Sequence, residues 1–271
     1  MGQLDGKVAI VTGSARGTGE IIARLFVKEG AKVIVADVLD DRAKGWVGEL
    51  GDDGAYVHLD ITEDEDWQQA VAFATDRFGV PTVLVNNAAV LYNGSIAKTP
   101  NEEFDRLYRV NLRGAFQGIK AVTESMKAAN GGSIINIAST AGLTGPADYV
   151  AYSATKWGLR GVTRVAAVEL GMFGIRVNTI MAGGGNQEMR EPFHPGQSAE
   201  DRRRIGLVRS GLPQLAARGN PQNTTAALAV FLASDGSYHC HGQDFPTDYG
   251  KLAGMPAITP EALAELGIAQ G

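Results

Sequence analysis

The chain contains one cysteine, Cys240, so no intrachain disulfide is possible, which fits a reducing compartment. No uninterrupted apolar stretch approaches the roughly 18 residues that a membrane span needs. The opening MGQLDGKVAIVTG lacks a basic segment followed by a long apolar one, so a signal peptide is not expected. Met1-Gly2 would begin a myristoylation motif, but Gly6 stands where Ser or Thr is wanted. An excess of basic charge is also missing: 25 Lys and Arg against 30 Asp and Glu leave a net charge of −5, with no electrostatic footprint for nucleic acid. The one dense basic run, Arg202-Arg203-Arg204, is flanked by Glu200 and Asp201 and reads as a solvated loop face. His239-Cys240-His241 has metal-binding residue types, but neighbours in an extended segment point to opposite faces and cannot all converge on one ion, so no metal is expected. These absences lead to the expectation of a cytoplasmic protein without nucleic-acid or membrane partners.

What is present is an ordinary globular composition, with 44% hydrophobic and 20% charged residues over 271 positions, a length that suits one large domain. The 35 glycines show no period and no low-complexity run, which excludes collagen-like and disordered chains. Apolar, β-branched runs predict strands at 7–13, 31–37, 55–60, 82–88, 132–140 and 175–183. Several are almost continuously apolar, as strands buried on both faces of a parallel sheet are. Between the fourth and fifth lies a long helical pattern, Phe104, Leu107, Val110, Leu112, Phe116, Ile119, Val122 and Met126. This alternation implies right-handed crossovers and an α/β fold, a doubly wound parallel sheet with helices on both faces. After the sixth strand, 184–218 is rich in Gly, Pro and charge; a long loop at a strand's carboxyl end is read as a substrate-binding lid. Residues 251–271 form a helix-like C-terminal tail of unknown docking.

The first strand runs into Thr12-Gly13-Ser14-Ala15-Arg16-Gly17-Thr18-Gly19. Glycines leading from a strand into a helix let backbone N–H groups approach a pyrophosphate at the helix N-terminus. The spacing is G-x-x-x-G-x-G rather than the usual dinucleotide fingerprint, and a tight turn alone explains the cluster as well. Asp37 at the end of the second strand adds a carboxylate placed to accept hydrogen bonds from an adenosine ribose. It would repel a 2′-phosphate and so favours NAD over NADP, although the nearby Arg16 guanidinium could offset part of that repulsion. Asp60-Ile61 and Asn86-Asn87-Ala88-Ala89 close the third and fourth strands along the same rim; the asparagines could equally satisfy buried backbone groups.

Tyr152 and Lys156, in YSATK, fall on one face if that segment is helical. Sharing a face does not by itself decide whether the pair is catalytic. The ordered set TGSARGTG, Asp37, LDI, NNAA, Asn111, Ser139 and YSATK, however, resembles the short-chain dehydrogenase/reductase family over roughly 5–250. The N-terminal half is most similar to bacterial NAD-dependent hydroxysteroid and alicyclic alcohol dehydrogenases. The resemblance implies a single Rossmann-type domain with a sheet of about seven strands. It implies Tyr152 as general acid/base, and Lys156 as the charge that favours its phenolate and a hydrogen-bond donor to the nicotinamide ribose. It further implies Ser139 as a donor to the reacting oxygen and Asn111 as the holder of a relay water. The implied NAD contacts are Gly13, Ala15, Arg16, Gly17, Thr18 and Gly19 in the loop, with Asp37 and Val38, Asp60 and Ile61, and Asn87 and Ala88 at later strand ends. Tyr152, Lys156, Gly183, Gly185 and Gln187 complete them on the nicotinamide side. A homo-oligomer, dimer or tetramer, is implied as well.

The sequence departs from the family pattern in four places. Ala89 stands for a glycine. Ala182-Gly183 with Gln187 stands where Pro-Gly and a carboxamide-binding threonine are usual. Glu20, in the first helical turn, is expected to face solvent. Pro246 in a seventh strand, GQDFPTDYG, makes that strand short or an edge. Leu91, Tyr92, Leu143, Tyr149, Met181, Met189 and Phe193 are pocket candidates, mostly apolar, which suits a hydrophobic secondary alcohol or ketone such as a ring alcohol or steroid. Competing functions are a 3-oxoacyl-thioester reductase of the same family, with Arg202–Arg204 receiving the carrier arm, and a non-catalytic nucleotide-binding regulator or scaffold.

Overall fold

The computed structural model of the protein describes residues 2–183, 187–190, 193 and 220–254. Seven strands, β1 (Val8–Thr12), β2 (Lys32–Asp37), β3 (Gly54–His58), β4 (Val83–Asn86), β5 (Gly132–Ser139), β6 (Ile175–Ala182) and β7 (Asp244–Thr247), form one sheet in the order β3-β2-β1-β4-β5-β6-β7. Every ladder is parallel. The chain winds outward from β1 to β3, then returns to β4 and winds the other way. The topological switch therefore lies between β1 and β4, where a crevice opens at the strands' carboxyl ends.

Alternation along each strand divides the core into two layers. Ala9, Val11, Val33, Val35, Val85 and Ile137 face the layer that holds Ile22 and Phe26 of α1 (Gly17–Lys28) and Ala226 and Leu232 of the last helix. Ile10, Ile34, Leu84, Ile134 and Val177 face the other layer, with Trp67 and Ala70 of α3 (Asp64–Phe78), Val122 and Met126 of α5 (Ala115–Ala128), and Ala166 and Leu170 of α6 (Val150–Leu170). The continuous apolar runs follow from this arrangement, because both faces of the sheet are covered. Among the described residues no helix is long and apolar enough to cross a membrane.

Several elements differ in detail from the sequence pattern or complete it. The long helical pattern is interrupted: α4 (Asn101–Tyr108) passes into a π-helical turn at Arg109–Gly114 before α5 begins. The two-residue step from Val110 to Leu112 marks the slip, since a π turn inserts one residue into the α-helical period. β7 is short and at the edge, with Pro246 opposite Met181, as a strand residue lacking an N–H requires. α2 (Asp40–Val47) follows β2, and the short helix α7 (Gln187–Arg190) follows β6. α8 (Pro221–Ala233) starts with Asn220 Oδ1 accepting from Gln222 N at 3.0 Å and Pro221 at its first position. Of the lid read at 184–218 only α7 and Phe193 are described. Gly185, Arg202–Arg204 and the tail beyond Gly254 lie outside the described residues.

Candidate active site

The glycine loop is fastened on three sides. Thr12 Oγ1 accepts from Asn87 N and Ala88 N at 3.0 and 3.1 Å, and Asn87 Nδ2 donates to Thr12 O and Gly13 O, both at 2.9 Å. Buried Ser14 Oγ donates to Val11 O at 2.6 Å and accepts from Ala36 N at 3.0 Å, tying the loop to β2. Trp46 Nε1 donates to Ala15 O at 3.1 Å, and Gln222 Nε2 of α8 donates to Thr18 Oγ1 at 3.0 Å. Gly13 has φ 63°, and an added Cβ there would sit 2.6 Å from Ala88 Cα. A Cβ on Gly19 would meet Gly13 O at 2.3 Å, so the helix starts directly beneath the loop. α1 therefore begins at the carboxyl end of β1, beside the switch point, with the leading N–H groups that a helix start leaves without an intrahelical partner. Glu20 is partly exposed and pairs with Arg24 at 2.9 Å one turn along the helix.

Asp37 is buried at the end of β2, and backbone holds both its oxygens: Oδ2 accepts from Ala15 N at 2.9 Å and Oδ1 from Leu39 N at 3.0 Å. A carboxylate has about four acceptor sites, so half of its capacity remains. Val38 beside it is 50% exposed. Asp60 closes a local turn, its Oδ1 accepting from Thr62 N and Oγ1, while Ile61 packs beneath the site against Gly114. Asn86 faces inward, with Nδ2 donating to Asn136 Oδ1 at 2.8 Å and to Ala115 O at 3.2 Å, so the adjacent asparagines divide between the sheet interior and the loop.

Ser139, Tyr152, Lys156 and Asn111 are brought together by β5, α6 and the π turn. Ser139 ends β5 and caps the short turn Thr140–Gly142, its Oγ accepting from Ala141 N at 3.2 Å and keeping its O–H to donate. That turn lies against α6: Arg160 Nη1 donates to Gly142 O at 2.9 Å, and a Cβ on Gly142 would sit 2.8 Å from Lys156 O. Tyr152 is in the first turn of α6, edge-on to Tyr149 with ring centres 6.2 Å apart. Lys156 is buried, donates to Ile137 O at 2.9 Å, and places Nζ 5.6 Å from the centre of the Tyr152 ring. Desolvation lowers its pKa to about 8.

Asn111 is buried in the π turn and clamps the loop after β4 in both directions: Oδ1 accepts from Val90 N at 2.7 Å and Nδ2 donates to Val90 O at 2.8 Å. The same Nδ2 reaches Thr155 Oγ1 at 3.4 Å, and Thr155 Oγ1 donates to Tyr152 O at 2.8 Å. Thr155 therefore joins the group, a residue that sequence reasoning passed over. Its position inside YSATK was the available signal.

The pocket candidates separate. Leu91 is buried, Leu143, Tyr149 and Met189 are half-buried, and Tyr92 and Phe193 meet edge-to-face with ring centres 6.0 Å apart. Gly94 N donates to Asp148 O at 2.8 Å, hooking the loop after β4 onto the start of α6, where Asp148 takes φ 66°. Met181 is fully buried in a core cluster with Ala138 and Leu159, so its place is packing and not the pocket. Gly183 lies against β7's exit, its added Cβ 2.4 Å from Asp248 Cα, which leaves room for no larger residue. The backbone of Gln187 opens α7; its side chain lies outside the described residues. His241 engages backbone on both ring nitrogens, with Val177 N and Ala167 O, and among the described residues no three metal-ligating side chains converge.

The donor set suits a nicotinamide dinucleotide. Helix N–H groups offer an anion seat, Asp37 keeps acceptor sites for ribose hydroxyls, and the Lys156 ammonium has one acceptor among the described residues for its three donors. The family model described as short chain dehydrogenase matches residues 7–198. The 3-alpha-(or 20-beta)-hydroxysteroid dehydrogenase of Mycobacterium bovis is 43% identical over 94% of this chain and 92% of its own length. The trans-4-hydroxycyclohexanecarboxylate dehydrogenase of Sinomonas cyclohexanicum is 38% identical over 92% and 93%. The cyclopentanol dehydrogenase of Comamonas is 34% identical over 93% and 100%.

Proposed function

The chain belongs to the short-chain dehydrogenase family, and on that premise we propose that it is an NAD(H)-dependent oxidoreductase interconverting a hydrophobic secondary alcohol with its ketone. The substrate class is a ring alcohol or hydroxysteroid. The observation that carries this reading is the buried Lys156 ammonium beside the Tyr152 ring, at the same end of the sheet as Ser139 and the Asp37 carboxylate.

A bound nicotinamide gives or takes the hydride. The chain handles the proton. An ordinary tyrosine has a pKa near 10, too high for a base at neutral pH. Two features favour the Tyr152 phenolate: the positive end of α6, in whose first turn it lies, and the Lys156 charge. With a pKa of about 8, Lys156 is still mostly protonated at neutral pH and can release a proton under mildly alkaline conditions. Ser139 donates to the substrate oxygen, where negative charge develops. The Asn111 amide is committed to Val90, so a relay water is held by backbone that the π turn displaces from the α-helical pattern.

Asp37 binds the adenosine ribose and disfavours a 2′-phosphate, hence NAD over NADP. Leu91, Tyr92, Leu143, Tyr149, Met189 and Phe193 form an apolar wall suited to an aliphatic ring, in keeping with the three relatives, whose names are those of cyclic-alcohol or hydroxysteroid dehydrogenases. The exposed Phe104, Tyr108 and Phe116 on α4 and α5 support assembly as a homodimer or homotetramer through that face. The test is an activity screen over ring, aromatic and steroid alcohols with NAD and NADP, read by nicotinamide absorbance. NAD-dependent oxidation of a cyclic secondary alcohol is expected. Activity confined to acyl thioesters with NADPH would overturn the reading.

A further inference from the structure

Glu188 stands in α7, after β6, far along the chain from the glycine loop. Its two oxygens nevertheless divide between two arginines that neighbour the backbone anchors of Asp37 along the chain. Oε2 accepts from Arg16 Nη1 at 2.7 Å and Oε1 from Arg42 Nη2 at 2.9 Å. Arg16 directly follows Ala15, whose N–H holds Asp37, and Arg42 sits in the first turn of α2, just beyond Asp37. Both cations beside the ribose carboxylate are thus engaged by an anion supplied from the other half of the chain.

Guanidinium groups are the usual receptors for a phosphate monoester, because their planar forks match its oxygens. We infer that Glu188 is a specificity-determining residue: by engaging Arg16 and Arg42 it denies them to a 2′-phosphate and reinforces the discrimination begun by Asp37. The inference rests on the reading of the crevice as an NAD site. Asp37 acts by direct repulsion, whereas Glu188 acts by occupying the donors that would offset that repulsion. A 2′-phosphate would have to displace two ion pairs and then share the site with the released carboxylate.

The burial sets the size of the effect. The Arg16, Arg42 and Glu188 side chains are 38, 52 and 40% exposed, so solvent screens each pair and a moderate contribution is expected. The discrimination should also weaken as ionic strength rises. A purely mechanical role makes a different prediction. If Glu188 only fastened α7 to the glycine loop, its loss would loosen NADH and NADPH equally.

The experiment is fluorescence titration of NADH and NADPH against wild type, Glu188→Gln, and Glu188→Gln combined with Arg16→Leu and Arg42→Leu. Glu188→Gln should raise NADPH affinity relative to NADH by about 2- to 5-fold, the scale of a screened charge pair. The added arginine substitutions should reverse that gain. An unchanged affinity ratio, an equal loss of both ligands, or a gain that survives without the arginines would overturn the inference. Wild type binding NADPH more tightly than NADH would overturn the NAD reading instead, and the ratio shift in Glu188→Gln would still decide the role of Glu188.

Discussion

The Lys156 ammonium lies 5.6 Å from the centre of the Tyr152 ring and is held there by the Ile137 carbonyl at 2.9 Å. One turn of α6 separates the two residues, and β5 supplies the carbonyl that fixes the lysine's depth. A buried cation at that range favours the anionic form of a neighbouring phenol, while its own burial lowers its pKa and makes it a stronger acid than an exposed lysine. Helix geometry and one strand contact thus set the pair's spacing, and on the proposed function the two act together as the proton site.

Replacing Tyr152 by Phe removes the proton donor and keeps the ring. Turnover should fall by at least about 10²-fold, the usual contribution of a positioned acid/base. NADH affinity, followed by fluorescence, should change little. Turnover equal to wild type would exclude Tyr152 from the reaction.

Burial of Lys156 has a pH signature in the cofactor-free protein. Its folded pKa, about 8, lies below the ordinary value of 10.5, so between those limits the unfolded chain binds the extra proton. Stability contributed by this site is lowest below pH 8 and rises through pH 10.5. The gain approaches about 3 kcal/mol at one pKa unit per 1.36 kcal/mol. Urea unfolding of wild type and Lys156→Met across this window should show the wild type gaining on the variant as pH rises. Parallel curves would show that the lysine is not desolvated.

Asp37 has a structural duty as well as the proposed ribose contact. Asp37→Ala leaves the Ala15 and Leu39 N–H groups without their acceptor, costing roughly 1–3 kcal/mol. Thermal melting without cofactor should register that loss. Titration should show weaker NADH binding and a narrower gap to NADPH. Unaltered NADH binding with lowered stability would leave Asp37 a loop-fastening residue only.

Asn111→Ala removes both bonds to Val90 and the contact to Thr155. A partly buried N–H and C=O left unpaired should destabilise the protein by about 1–3 kcal/mol in urea unfolding. Turnover should fall with it, because Val90 leads into the wall formed by Leu91 and Tyr92. Asn111→Asp, whose carboxylate cannot donate to Val90 O and would bury an unpaired charge, should be at least as destabilising at neutral pH as Asn111→Ala.

The sequence by itself determined the sheet. Continuous apolar runs such as VAIVT and KVIVAD require cover on both faces, and strand–helix alternation then leaves a parallel, doubly wound order. Pro246 determined that β7 is an edge, because a residue without an N–H cannot serve a central ladder. The glycine loop and Asp37 could be read for the same reason: short-range geometry, a turn and a strand end, fixes where they stand. Tertiary structure alone decided which polar groups meet. Periodicity reports the face a side chain is on and is silent about its partner across the fold. Hence Asn111 turned out to clamp Val90, Thr155 to bridge to Tyr152, and Met181 to be core. The pairing of Glu188 with Arg16 and Arg42 depends on chain crossings that bring residue 188 to residues 16 and 42, and no local pattern encodes that meeting.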